Sequence, residues 1–162
     1  MKKKVKIVLL ILLLLMILYV IQDLLFGRKY WIGKVIEIWV PLISRSEYED
    51  THGGFHGDGD SIDKIYFNDF QAKIFLKKVK KNKNWRKLPV THELYTRIQY
   101  NLDGFNIIIP EIENGYWFFK NRYTDAANVY DENGIYNVGA FNYSVGIYDE
   151  DTNILWFYEC DT

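Results

Sequence analysis

The chain has 162 residues, 49% of them hydrophobic and 25% charged, with a single cysteine and a formal net charge of −1. That length suits one compact domain, and the composition is too apolar for a disordered chain. One cysteine excludes a disulfide framework and a Cys-rich zinc module, and near-neutral charge excludes a dedicated nucleic-acid binder.

The charge is unevenly placed. Residues 1–27 hold Lys2, Lys3, Lys4 and Lys6 against one acid, Asp23. Removing these from the 20 basic and 21 acidic residues leaves 16 against 20, or −4 on the remainder. Residues 1–6 form a basic segment, and Ile7 to Ile21 is an unbroken apolar run. A helix over Val5 to Phe26 spans about 33 Å, enough for a hydrocarbon core of about 30 Å. Residues 7–26 are therefore expected to be a transmembrane helix. No alanine occurs before Ala72 and no A-x-A pattern follows the run, so it reads as an uncleaved signal anchor. The lysine bias puts the N-terminus in the cytoplasm and the rest outside the cell membrane. The bilayer is then the first partner. Gly27 is a natural stop, and residues 27–34 read as a short linker reaching about 25 Å.

Residues 35–162 read as one extracytoplasmic α+β domain. Val35 to Val40 is β-branched and aromatic, a strand ending near Pro41. Arg45 to Asp50 is polar and extends from strand into loop. Ile62 to Phe67 alternates as a strand does, with Ile62, Lys64 and Tyr66 opposite Asp63, Ile65 and Phe67. Asn68 and Asp69 cap a helix whose apolar stripe is Ala72, Phe75, Leu76 and Val79, ending at Asn82-Lys83-Asn84. Thr91 caps a second helix, striped by Leu94, Tyr95, Ile98 and Leu102. Tyr116 to Phe119, Tyr143 to Tyr148 and Ile154 to Tyr158 are strand-like, and Asp149 to Asn153 joins the last two as a hairpin loop. The expected architecture is a transmembrane helix followed by a small antiparallel sheet, with two helices packed on one face.

One segment gathers unusual residues. Thr51 to Asp60 holds two histidines and four glycines. His52, Gly53, Gly54, His56, Asp58 and Asp60 are candidate ligand-binding residues. Two imidazoles and two carboxylates, from His52, His56, Asp58 and Asp60, suit Zn²⁺ or Mn²⁺, and an extended backbone puts His56, Asp58 and Asp60 on one side. The pattern matches no standard metal motif. Gly53 and Gly54 disfavour the helix that an H-x-x-x-H pair needs, and an EF-hand starting at Asp58 lacks its Gly and Glu. A tight structural connection, a metal-free binding loop and a divalent-metal site all remain open. The stretch Asp50 to Gly59 (D-T-H-G-G-F-H-G-D-G) resembles a segment in small uncharacterised membrane-anchored proteins of low-GC Gram-positive bacteria, whose Asn-, Lys-, Ile- and Tyr-rich composition is similar too. The resemblance implies no activity.

Lys77, Lys78, Lys80, Lys81, Lys83, Arg86 and Lys87 form a basic run. It could meet anionic lipid or wall polymer, but a solvated helix end is the preferred reading. Cys160 has no basic partner in sequence, and no G-x-S-x-G, Walker A or dinucleotide fingerprint occurs. The expected function is a non-enzymatic, membrane-anchored interaction module with no cofactor, engaging a membrane or envelope protein and no nucleic acid. The alternative is a metal-dependent hydrolase using loop 50–60.

Overall fold

The N-terminal helix does not stop where the apolar run stops. In the computed structural model, which describes residues 2–53, 57–123, 128–137 and 140–162, α1 runs unbroken from Lys2 to Val35. Its 34 residues make a rod of about 50 Å. The window Val5–Gln22 is long and apolar enough to cross a membrane, and none of it is buried inside the protein. The segment expected as linker is helical, and its far end belongs to the core. Ile32, Val35 and Ile36 are buried. Gly27 fails to stop the helix because packing of this apolar stripe outweighs the local cost of glycine.

The helix ends at Val35 instead. Glu37 takes the left-handed conformation at φ 61°, and the Ile38 amide donates to the Gly33 carbonyl at 3.1 Å. That is a Schellman-type closure. Gly33 permits it, since a Cβ there would lie 3.1 Å from the Ile38 carbonyl oxygen. The strand expected over Val35 to Val40 is therefore absent. Ile36, Ile38 and Val40 are buried while Glu37 and Trp39 are exposed, so the strand-like alternation reports burial of an irregular segment.

The remaining elements are β1 (Arg45–Asp50), β2 (Gly59–Tyr66), α2 (Asp69–Val79), β3 (Trp85–Lys87), α3 (His92–Asn101), β4 (Gly115–Asn121), a 3₁₀ turn (Glu132–Asn137), β5 (Tyr143–Asp149) and β6 (Ile154–Asp161). The strands form one sheet in the order β1-β2-β6-β5-β4-β3, each pair antiparallel. The α+β class and the antiparallel sheet are as expected. A capping box between Asn68 and Gln71 starts α2, as its sequence indicates.

The helices do not share a face. One core cluster joins Phe75 and Val79 of α2, Ile32 of α1 and Ile36 just past its end to Ile65, Phe118, Tyr148 and Phe157 of the sheet. The other joins Leu94 and Ile98 of α3 to Trp117, Phe119, Val145 and Tyr158. Central strands with large apolar residues on both sides need cover on both sides. The end of α1 fills the space beside α2, and α3 is left to close the opposite face. A Cβ on Gly146 would meet Trp85 at 3.3 Å and Ile36 at 3.4 Å, so these two side chains pack directly on the backbone of β5.

Replacing Ile32 with alanine should destabilise the domain by about 2–5 kcal/mol, the usual range for a buried aliphatic side chain. Leu12→Ala, in the exposed apolar window, should leave domain unfolding unchanged. Denaturant titration of the full chain in detergent, followed by near-ultraviolet circular dichroism, measures both. Equal effects would mean that residues 28–36 are not part of the core.

Candidate functional site: the junction of helix and sheet

Beside Tyr48 on the edge strand, and one turn below Ile32 on the helix, charged groups meet under α1. The Arg28 guanidinium donates to Asp63 from Nη2 at 2.8 Å and from Nε at 3.0 Å, and its Nη1 reaches Glu159 at 3.0 Å. Nη2 also donates to Ser61 Oγ at 3.0 Å. Strand pairing explains the convergence. Ser61 lies opposite Glu159, and Ser144 lies opposite Glu159 from the other side. Ser144 and the Trp31 indole both donate to Glu159 Oε1, at 3.3 and 3.2 Å. Tyr48, opposite Asp63 in β1, places its ring 4.6 Å from the guanidinium. Next along the helix, Lys29 is buried and donates to the carbonyls of Leu42 and Ser44.

The electrostatics follow from burial. Asp63 and Glu159 are 2% and 4% exposed. Burial pushes the Asp63 carboxyl up to about 6, with Arg28 opposing and Glu159 reinforcing the rise. Burial works against the Arg28 charge as well, yet the facing carboxylates hold it above its usual value. Burial lowers Lys29. A second arginine extends the cluster, because Arg122 Nη2 reaches Asp161 at 2.9 Å and its Nε lies 3.8 Å from Glu159.

The histidine-glycine segment closes the β1–β2 hairpin beside this cluster. His52 sits between two carboxylates, with Nδ1 2.5 Å from Asp50 and Nε2 3.1 Å from Asp161. Partial burial disfavours its charge, but the two acids prevail and raise its pKa above 6.5. Asp60 faces the other way. Its side chain accepts from Asn101 at 3.1 Å and from the Tyr158 hydroxyl, in the α3-side core. Asp58 is exposed, a Cβ on Gly53 would make only ordinary contact with the Thr51 carbonyl oxygen at 3.8 Å, and Gly54 and His56 lie outside the described residues. Among the described residues, then, His52 and Asp60 are not brought together, and no three His, Cys, Asp or Glu side chains gather as a metal would require. Two glycines have a structural task. Gly57 takes φ +72°, and a Cβ on Gly59 would lie 2.6 Å from the His52 backbone.

Other sequence candidates are dispersed. Lys80 and Lys87 flank Glu150 at 3.6 and 3.7 Å, and Arg86 pairs with Glu132 at 2.7 Å while stacking on Trp117. Burial and then Asp60 push the Cys160 thiol up to about 11, which leaves it protonated at neutral pH. His92 is exposed at the rim of an apolar cleft of about 470 Å³, walled by Leu88, Pro89, Tyr95, Pro110 and Ile112. Sequence reading assigns residues 27–34, Arg28 among them, to a linker and singles out none of Arg28's partners. The signal was present in β2, where Asp63 shares the inward side with Ile65 and Phe67.

The junction satisfies its own charges, so its chemistry is fastening. Arg28→Met should cost about 3 kcal/mol, because Asp63 and Glu159 stay buried without their main partner. Adding Asp63→Leu should restore most of that loss, since Arg122 still faces Glu159. A double variant no more stable than the single, measured by the same unfolding titration, would refute the account. The His52 imidazole should titrate by NMR above 6.5, and lower after Asp161→Asn. Because its folded value is raised, the stability it contributes is complete below about pH 6.5 and lost as pH rises through that folded value. His52→Gln should remove this part of the pH dependence.

Comparison with protein-family models, curated proteins and solved structures finds no match to this chain.

Proposed function

We propose that the chain is a single-pass membrane-anchored interaction module of the cell envelope, with its N-terminus cytoplasmic and its α+β domain outside. The observation that carries this reading is the unbroken α1. Its apolar window is wholly exposed, as a lipid-facing helix is, and its next turns are fastened into the sheet by Arg28, Ile32 and Ile36. A removable signal sequence has small residues at a cleavage site after the apolar stretch; here that stretch passes into a helix that the core retains. Lys2, Lys3, Lys4 and Lys6, ahead of the window, favour the cytoplasmic side for that end.

A rigid helix between span and domain does what a flexible tether cannot. It fixes height and rotation together, so the domain presents one constant face to a partner that lies in or near the bilayer. The function is recognition, with no chemical step assigned to any residue.

Two alanines inserted after Gln22 test this reading. They turn the domain by about 200° relative to the span and lift it by about 3 Å. Photo-cross-linking of the full chain in cells should give defined membrane-protein adducts that the insertion abolishes while the domain stays folded. Unchanged adducts would show that the helix acts as a loose leash. In cells stripped of their wall, external protease should digest the domain; a fully protected domain would reverse the orientation.

A further inference from the structure

The domain folds back along its own anchor and leaves an apolar cleft between them. Leu18 and Ile21 of α1 form one wall, and Trp39, Ile43, Phe70 and Ile74 form the other. Its volume is about 820 Å³. Three of the domain side chains stand largely in the open, with Ile43 83%, Phe70 73% and Trp39 51% exposed. Large apolar groups gathered like this call for an occupant.

We infer that this surface is a second membrane contact, in which Trp39, Ile43 and Phe70 enter the headgroup and upper acyl region of an anionic phospholipid bilayer. The inference rests on the membrane-anchor reading above. Two independent features select lipid over other occupants. The first is continuity, since Leu18 and Ile21 belong to the apolar window Val5–Gln22 and lie at the same level as the domain wall of the cleft. Whatever surrounds that end of the span also fills the cleft. The second is charge. α2 turns Phe70 and Ile74 towards the cleft, and Lys73, Lys77 and Lys78 stand exposed on the same helix. Lys78 lies 5.4 Å from the Trp39 ring. Apolar side chains flanked by lysines are the composition of a helix that lies in the interface, its apolar face sunk by about 5–10 Å. Lysines at that height attract anionic headgroups.

The local structure suits the task. The Asn68–Gln71 capping box fixes the first turn of α2, so Phe70 is held at a defined angle. Gln71 also donates from Nε2 to the Ile43 carbonyl at 2.6 Å, which ties the two exposed apolar residues into one unit. The geometry is preset, and insertion needs no refolding.

The full chain is reconstituted into vesicles of phosphatidylcholine alone, or of phosphatidylcholine and phosphatidylglycerol in equal parts. An environment-sensitive fluorophore is attached through Ile43→Cys, with Tyr100→Cys on α3 as the reporter on the opposite face; unsubstituted chain, whose Cys160 is buried, supplies the labelling background. Doxyl groups carried near the lipid headgroup should quench the reporter at position 43 at least threefold more than the one at 100. Phosphatidylglycerol should strengthen that quenching, and Phe70→Glu or the triple Lys73→Glu/Lys77→Glu/Lys78→Glu should reduce it by half or more. Absence of quenching at 43 in a chain that resists carbonate extraction overturns the second contact and leaves the anchor standing. A chain released by carbonate overturns the anchor reading itself. A reporter shielded from aqueous iodide but untouched by doxyl, in proportion to protein density, assigns the surface to a second copy and also overturns the proposal.

Discussion

Two carboxylates inside a small sheet, Asp63 and Glu159, can stay there only while a cation faces them, and the cation comes from the helix that carries the apolar window. This dependence organises the molecule. An uncompensated buried charge costs several kcal/mol, so removing α1 would strip away a cover and also leave two acids stranded. The pairing is directional as well. Arg28 engages Asp63 through two nitrogens and Glu159 through a third, which fixes how the helix is rotated over the strands. One turn further on, Ile32 meets the sheet, and the Glu37 turn locks the end. Glu37 then accepts from Asn84 at 2.9 Å and from Tyr130 at 2.5 Å, so the last turn of α1 is tied to the β3 side of the sheet. The helix α1 is thus a structural element of the domain.

Covering both faces of the sheet has consequences for the rest of the chain. β5 and β6 are buried along almost their whole length, which leaves the sheet's two faces to α1 with α2, and to α3. A sheet with one wet face would tolerate loss of a helix on that side; this one exposes aromatic rows whichever cover is removed. The glycine at 146 shows the tolerance involved, because a methyl group there would press on the Trp85 side chain at 3.3 Å and touch Ile36 at 3.4 Å. Edge protection follows the same economy of means. β1 carries Arg45, Glu47, Glu49 and Asp50, and charged side chains on an exposed edge discourage pairing with another chain.

Much of this was legible in the residues, and the misses share one cause. Sequence periodicity located the two internal helices, the Asn68 cap, the β5–β6 hairpin and the antiparallel class, because each depends on neighbours a few positions away. Val35 to Val40 misled because alternation records which side chains are buried, and an irregular segment lying on a core alternates as a strand does. Gly27 misled because a single residue's preference was set against tertiary packing that local pattern cannot show. The partition of α2 and α3 between faces was hidden in Tyr116 to Phe119, whose lack of alternation already says that both sides of β4 are covered. The histidine-glycine segment looked like one site because its residues are close in sequence. His52, just past the end of β1, is held by Asp50 and Asp161, while Asp60 in β2 turns to Asn101 and Tyr158, so proximity along the chain does not become proximity in space.

The two faces of the sheet also differ in what stands beside them. The face that takes α1 also carries the cleft lined by Leu18, Ile21 and Phe70, so everything on that side is bound to the depth of the helix. The α3 face is separated from it by the thickness of the sheet, and it holds the other apolar hollow, beside Leu88, Tyr95 and Pro110. A hollow framed by prolines and the first turn of a helix presents a fixed shape, because proline restricts the backbone on either side of it. On the proposed reading, lipid contact belongs to the α1 side of the sheet, and the hollow beside α3 belongs to the side turned away from it. β5 and β6 lie between them, buried along almost their whole length, and the orientation of the α3 side is inherited from the ion pairs that fasten the α1 side.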